Sequence, residues 1–211
     1  MREPAVLHRV KQGYTTGART LASRSIVGLA RTRVTPNALT TAGVSLCLAA
    51  TVIVFFEDRN DLLFYWVGAA VFVVGSILDI LDGALARAGG KTTPFGSFLE
   101  STTDRVGEGA MLGAIALIFA RHGNQIALGA TVAAVAGSFL VSYTRAKAEA
   151  LGLRGDVGLG SRAERVVVIT AGLVLAPWGV LQWAIYLLTV TAWVTVLQRI
   201  LFVRKQLAER R

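Results

Sequence analysis

The sequence predicts an all-helical (all-α) integral membrane protein, a bundle of six transmembrane helices preceded by an N-terminal interfacial amphipathic helix. Three observations predict it. Hydrophobic residues make up 54% of the 211 and charged residues only 17%, with a mean hydropathy of +0.57. The apolar residues fall into runs long enough, as helix, to cross about 30 Å of hydrocarbon. The Lys and Arg residues collect in alternate connections between those runs, which is how a membrane protein fixes its orientation. No linker, low-complexity segment or repeat divides the chain, so one domain over 1–211 is expected, with an arm over 1–33 and the bundle over 36–203.

The arm carries no long apolar run and is neither a signal peptide nor a span. Leu7, Val10, Ile26, Val27 and Leu29 among basic residues suit a helix lying in the membrane interface. Spans are expected over 36–56, 62–87, 94–120, 124–148, 162–177 and 180–203. Thr35 before Pro36, and Thr93 before Pro94, fit an N-cap followed by proline at the first helical position. Ser161 and Glu164 have capping-box spacing. Pro177-Trp178-Gly179 reads as the tight break before the last span. The single Cys47 lies in the first span and forms no intramolecular disulfide. Trp66, Trp178, Trp183 and Trp193 read as interface-belt and packing residues.

Of the 22 Lys and Arg residues, all but Arg59 and Arg121 fall on one side of this topology. The positive-inside rule assigns that side to the cytoplasm, so both termini are expected there, in a multi-pass protein of the cell membrane. The net charge of +9 is then a basic rim that orients the bundle and attracts anionic lipid heads; no nucleic acid partner is expected.

Residues 79–104, DILDGALARAGGKTTPFGSFLESTTD, place Asp79, Asp82, Glu100 and Asp104 in or beside apolar segments. Carboxylates at membrane depth cost several kcal/mol unless neutralised, so they mark function and require a partner. Asp79, Asp82, Gly83, Ala86 and Arg87 share one helical face, as do Gly96, Glu100 and Asp104. If the chain turns back through 88–93, Asp79 comes opposite Asp104, Gly83 opposite Glu100, and Arg87 opposite Gly96. The acids then lie on the order of 12 Å inside the mouth marked by Arg87. Oxygen-only ligands favour Mg²⁺ or Mn²⁺ over zinc, and His8 and His122 are not placed to contribute. Small residues on both stripes leave room for a substrate.

The pattern DxxDGxxAR, eight residues, then GxxxExxxD resembles the signature of the CDP-alcohol phosphotransferases (CDP-alcohol phosphatidyltransferases), DxxDGxxAR, eight residues, then GxxxDxxxD, at every fixed position but one. The resemblance extends from Thr35 to about Arg199. It implies transfer of a phosphatidyl-type group from a CDP-diacylglycerol donor to an acceptor hydroxyl, with release of CMP, in phospholipid biosynthesis. It further implies a homodimer and roles by position: Asp79, Asp82, Glu100 and Asp104 hold two divalent ions, and Asp104 is the general base. Asn37, Asp79, Gly83, Ala86, Arg87 and Gly96 surround the nucleotide. Glu100 is the departure, standing where the family usually has aspartate.

Residues 142–168, SYTRAKAEALGLRGDVGLGSRAERVVV, resemble the matching stretch of actinobacterial phosphatidylinositol phosphate synthases. Arg145, Arg162, Arg165 and Arg199 match basic positions of the acceptor pocket there, and several guanidinium groups suit a phosphorylated polyol such as inositol 1-phosphate. Arg145 and Lys147 depart from the commoner Lys-Ala-Arg order, and Ser161-Arg162-Ala163 replaces Glu-Arg-Pro. Glycerol 3-phosphate, as for a phosphatidylglycerophosphate synthase, is the alternative acceptor, and positive-inside anchoring the plainer role for the arginines. Asp156 reads as a solvated loop residue, and Glu108 as a neighbour of the site or a partner of Arg105. A divalent-cation transporter is the alternative of another class, but its acids should reach both faces.

Overall fold

The structure is a computed structural model that describes residues 35–90, 92–158 and 161–210. The arm expected to form an interfacial helix lies outside the described residues. In the described residues six α-helices follow one another: α1 Pro36–Phe55, α2 Asp61–Ala88, α3 Pro94–Arg121, α4 Gln125–Ala150, α5 Arg162–Val174 and α6 Leu181–Glu209, with 3₁₀ turns at Glu57–Arg59 and Ala176–Trp178. The described residues contain no strand.

Local chemistry sets the starts. Thr35 accepts from the Ala38 N–H and Thr93 from the Gly96 N–H, each with proline following. Ser161 and Glu164 form the reciprocal capping box. Asn60 and Asn124 cap α2 and α4, a role the sequence reading did not assign. The break at 176–179 is a 3₁₀ turn ending on Gly179 at φ +74°, where a side chain would be strained.

Two boundaries differ from expectation. The fifth segment is helical only over Arg162–Val174, so at about 1.5 Å per residue it extends roughly 20 Å, short of the hydrocarbon thickness. Pro177, expected inside that span, belongs to the following turn. The last helix instead runs on to Glu209, and its extension pins the loop before α5. Gln206 exchanges two hydrogen bonds with the Arg154 backbone (3.0 and 2.8 Å), and Arg210 donates to the Gly152 carbonyl at 2.6 Å.

Four helices, α1, α2, α4 and α6, are long and apolar enough to cross a membrane. Helix α3 matches them in length but carries Glu100, Asp104, Arg105 and Glu108 along its length. In the four apolar windows only 33–39% of residues are buried inside the protein. The remainder includes exposed Val52, Leu63, Val74, Ile77, Ile80, Val190 and Leu197, a surface suited to lipid rather than water.

The packing centres on α1, which lies along both α2 and α3, whereas α2 and α3 touch each other only sparsely. The expected direct pairing of α2 with α3 is therefore corrected: the buried small residues of α1 wedge between them. A Cβ on Gly43 would stand 2.9 Å from the Gly75 carbonyl, and one on Gly75 would stand 2.8 Å from the Gly43 carbonyl. Backbones this close form the small-residue seam common between membrane helices. Helix α4 packs on α3 and α6, and α5 on α2 and α6. Leu112, Ile115, Ile169, Leu173, Ile185 and Leu188 fill the core. The acid-bearing ends of α2 and α3 are left facing a polar pit.

Candidate active site

The expected register holds although the two helices diverge. Asp79 and Asp104 are brought to the same guanidinium, that of Arg162 at the start of α5, with Asp104 Oδ1 at 3.1 Å from Nη2 and Asp79 paired to Nη1. Gly83 faces Glu100: a Cβ there would lie 2.8 Å from Glu100 Oε1 and 3.2 Å from Arg87 Nη1. The longer Glu100 side chain thus occupies the space that Gly83 leaves open. Asp82 is buried and accepts from the Thr40 hydroxyl of α1 and from the Gly83 N–H. Thr40 escaped the sequence reading. Its signal was its position on the α1 segment that begins Thr-Pro-Asn, one turn past Pro36, whose carbonyl its hydroxyl also reaches at 3.1 Å.

Two cavities meet at this point. One, of about 250 Å³, is lined by Asn37, Thr40, Asp82, Gly83, Ala86, Arg87, Gly96 and Glu100. All the residues expected around the nucleotide are there except Asp79, which faces Arg162 instead. The other, of about 560 Å³, is lined by Glu100, Asp104, Arg105, Glu108, Arg145, Arg162, Arg165 and Arg199 among others. Arg87, Ser97 and Glu100 border both.

All four expected acceptor arginines line the larger cavity, but they are engaged differently. Arg145 is exposed and pairs with Glu149 at 2.9 Å. Arg162 joins the two aspartates. Arg165 grips Glu108 in a two-point contact, 2.7 Å for each nitrogen, and so Glu108 pairs with α5 rather than with Arg105. Arg105 turns back to the Ser101 carbonyl of its own helix. Arg199 is buried and donates to the Val157 carbonyl at 2.9 Å and to the Val141 carbonyl, holding the 151–158 loop over α4. Asp156 is exposed in that loop, and the hydrogen bond from Arg154 holds its carboxyl below its ordinary pKa.

Residues 33–197 match the CDP-alcohol phosphatidyltransferase family. The chain belongs to that family. It is 34% identical over 200 residues to an archaetidylinositol phosphate synthase of Pyrococcus horikoshii, covering 94% of this chain and 95% of that one. It is 36% identical over 192 residues to a phosphatidylinositol phosphate synthase of Streptomyces avermitilis, covering 86% and 77%. The crystal structure of the Mycobacterium tuberculosis phosphatidylinositol phosphate synthase with CDP-DAG bound superposes with a TM-score of 0.76 at 30% identity, covering 87% of this chain and 94% of that one. The same mycobacterial enzyme has been solved with manganese and citrate, at a TM-score of 0.76 and 32% identity over 86% of this chain and 88% of that one.

As a CDP-alcohol phosphatidyltransferase the chain is a phospholipid-synthesis transferase, and the ion-transporter reading falls away. The acids fit a hard divalent ion in kind, since all are oxygen ligands and Asp104 Oδ1 is buried with no hydrogen bond despite the nearby Arg162. As placed, no three acid, His or Cys side chains among the described residues stand close enough to hold an ion. The reason is visible in the partners: Arg162 lies between Asp79 and Asp104, and Asp82 turns to Thr40. The guanidinium neutralises two of the acids expected to hold metal.

Proposed function

We propose that this chain transfers a phosphatidyl-type group from CDP-diacylglycerol to the hydroxyl of inositol 1-phosphate, releasing CMP. One observation carries the reading: two cavities, one holding the nucleotide signature with Asp82 and one ringed by arginines with Asp104, adjoin and share Glu100. A CDP-linked donor and an anionic acceptor would meet there. The relatives support inositol phosphate in particular, since the archaeal and the bacterial relative both carry it in their names while differing in the lipid.

Asp79, Asp82, Glu100 and Asp104 would hold Mg²⁺ or Mn²⁺, two ions by family resemblance, which when bound supply charge neutralisation at the pyrophosphate and on the departing CMP. Asp104 faces the larger cavity and takes the proton from the attacking hydroxyl. Asn37, Gly83, Ala86, Arg87 and Gly96 surround the nucleotide, small side chains giving it room. Arg145, Arg162, Arg165 and Arg199 supply the positive field that selects a phosphorylated acceptor. The lipid tails stay in the bilayer while the head groups react in the pit. The basic rim supports an active site and both termini on the cytoplasmic side of the cell membrane, and the family resemblance supports a homodimer of single-domain chains.

The test is CMP release from CDP-diacylglycerol by purified protein with Mn²⁺ or Mg²⁺, offered inositol 1-phosphate, inositol, glycerol 3-phosphate or serine. Inositol 1-phosphate should give the fastest turnover. Turnover with glycerol 3-phosphate alone would overturn the acceptor assignment while leaving the transferase intact.

A further inference from the structure

Helices α3 and α5 carry a two-rung ladder of charge. Asp104 meets Arg162, and one turn deeper Glu108 meets Arg165. The first rung contains the reacting acid. The second has no part in the signature motif, yet its geometry is the better of the two: Nε and Nη2 of Arg165 lie 2.7 Å from the two oxygens of Glu108, with side-chain exposures of only 5% and 4%. Both residues border the larger cavity.

A buried ion pair is a poor source of stability, because desolvation offsets most of the attraction and a well-packed apolar pair would serve as well. What a two-point carboxylate does supply is orientation. It takes two of the five guanidinium N–H groups and fixes the plane of a side chain that otherwise has many rotamers. We infer that Glu108 is a positioning residue for the acceptor, holding Arg165 at the cavity so that the guanidinium meets the acceptor's phosphate without reorganising. The inference rests on the phosphorylated-acceptor reading. It assigns Glu108 no contact with substrate and no proton transfer. It also gives the pocket its selectivity by geometry, since a carboxylate beside the arginine lowers the local positive charge rather than raising it.

The experiment compares wild type with Glu108→Gln, Glu108→Asp and Arg165→Lys in detergent. For Glu108→Gln, KM for inositol 1-phosphate should rise about 10- to 100-fold, the size of one charge-assisted hydrogen bond. KM for CDP-diacylglycerol and kcat at saturating acceptor should change less than about threefold on the same scale. Glu108→Asp should fall between wild type and Glu108→Gln, and the double variant Glu108→Gln/Arg165→Lys should be no worse than its worse single parent, as expected of residues acting as a unit. An equal rise in both KM values, or strictly additive losses, would overturn the inference, as would a lowered melting temperature with acceptor KM unchanged. Competitive inhibition by inorganic phosphate provides a readout that does not depend on the acceptor's identity. If wild type uses only a neutral acceptor, the acceptor reading fails; if phosphate inhibits wild type and Glu108→Gln equally, the positioning role fails. Should Glu108→Gln not fold, Glu108→Asp carries the same KM and phosphate tests, with a smaller rise expected and an unchanged acceptor KM overturning the inference.

Discussion

Two ends of the same bundle gather charge, and they do so in opposite ways. Around the turn after α1 and the end of α3, buried Glu57 meets Arg121 at 3.4 Å and His122 at 3.1 Å, Asp58 meets Arg121 at 3.1 Å, and Arg121 also donates to the Phe55 carbonyl and stacks over the Phe55 ring. Every charge there is spoken for, and the contacts tie the ends of helices together. At the other end Asp82, Glu100, Asp104 and Glu108 line two adjoining cavities with Arg87, Arg162 and Arg165, Asp79 joins Asp104 on the Arg162 guanidinium, and the buried Arg162 Nε makes no hydrogen bond. A cluster that closes on itself fastens the fold. One whose charged side chains line two adjoining cavities is built to receive something else.

The largest effect that would sharpen this contrast is at Asp104. Replacing it with asparagine keeps the shape but removes the proton acceptor, and turnover should fall by about 10² to 10⁴, the usual worth of a general base. The melting temperature should hold or rise, because one of several converging acids is gone. A large stability loss with residual turnover near wild type would break the comparison and move Asp104 into the structural class. Glu100 comes next. Glu100→Ala should abolish CMP release while Glu100→Asp retains it, since aspartate restores the usual motif and Gly83 leaves space for either side chain. Full activity of the alanine variant would remove Glu100 from the site.

Much of this difference is legible in the sequence. The acids at 79, 82, 100 and 104 stood out because ionised groups are rare in apolar runs, and their spacing gave the register that Gly83 with Glu100 and Asp79 with Asp104 obey. Thr35, Thr93 and Ser161 announced three helix starts through side chains that cap locally. Long-range partners were not legible. Nothing in the spacing says that Arg162 would reach back across 83 residues to Asp79, that Thr40 would hold Asp82, or that Glu108 would choose Arg165 over its sequence neighbour Arg105. The Thr40–Asp82 pairing depends on the close approach of α1 to α2 at Gly43 and Gly75, and the other two on the start of α5 reaching α2 and α3. The end of α5 differs from expectation for another reason: the run stays apolar past Val174, so hydropathy does not show how far before Pro177 the helix gives way to the turn.

The far cluster predicts smaller effects of the opposite kind. Glu57 is almost fully buried, so Glu57→Gln removes the negative charge that Arg121 and His122 share. Because Arg121 is about one-third exposed and can recover water, the cost should be roughly 1–3 kcal/mol, below that of a fully buried broken pair. The melting temperature in detergent should fall, while kcat and both KM values stay within about twofold, as expected for a change remote from the chemistry. Loss of turnover in a protein that melts normally would show that the two ends are coupled.

Asp58 gives the smallest effect and the cleanest control, because it contacts the same Arg121 from a different environment. Its side chain is 53% exposed, whereas that of Glu57 is 4% exposed, although their distances to Arg121 are similar. Water already solvates Asp58, so the pair gains little over separated ions, and Asp58→Asn should change stability by no more than about 0.5 kcal/mol. Raising the salt concentration should erase even that, since exposed pairs are screened over about 10 Å at 0.1 M. The Glu57 effect should persist in the same salt. If Asp58→Asn costs as much as Glu57→Gln, burial does not rank the charges of this cluster, and the burial of the acids at the other end loses its standing as a mark of function.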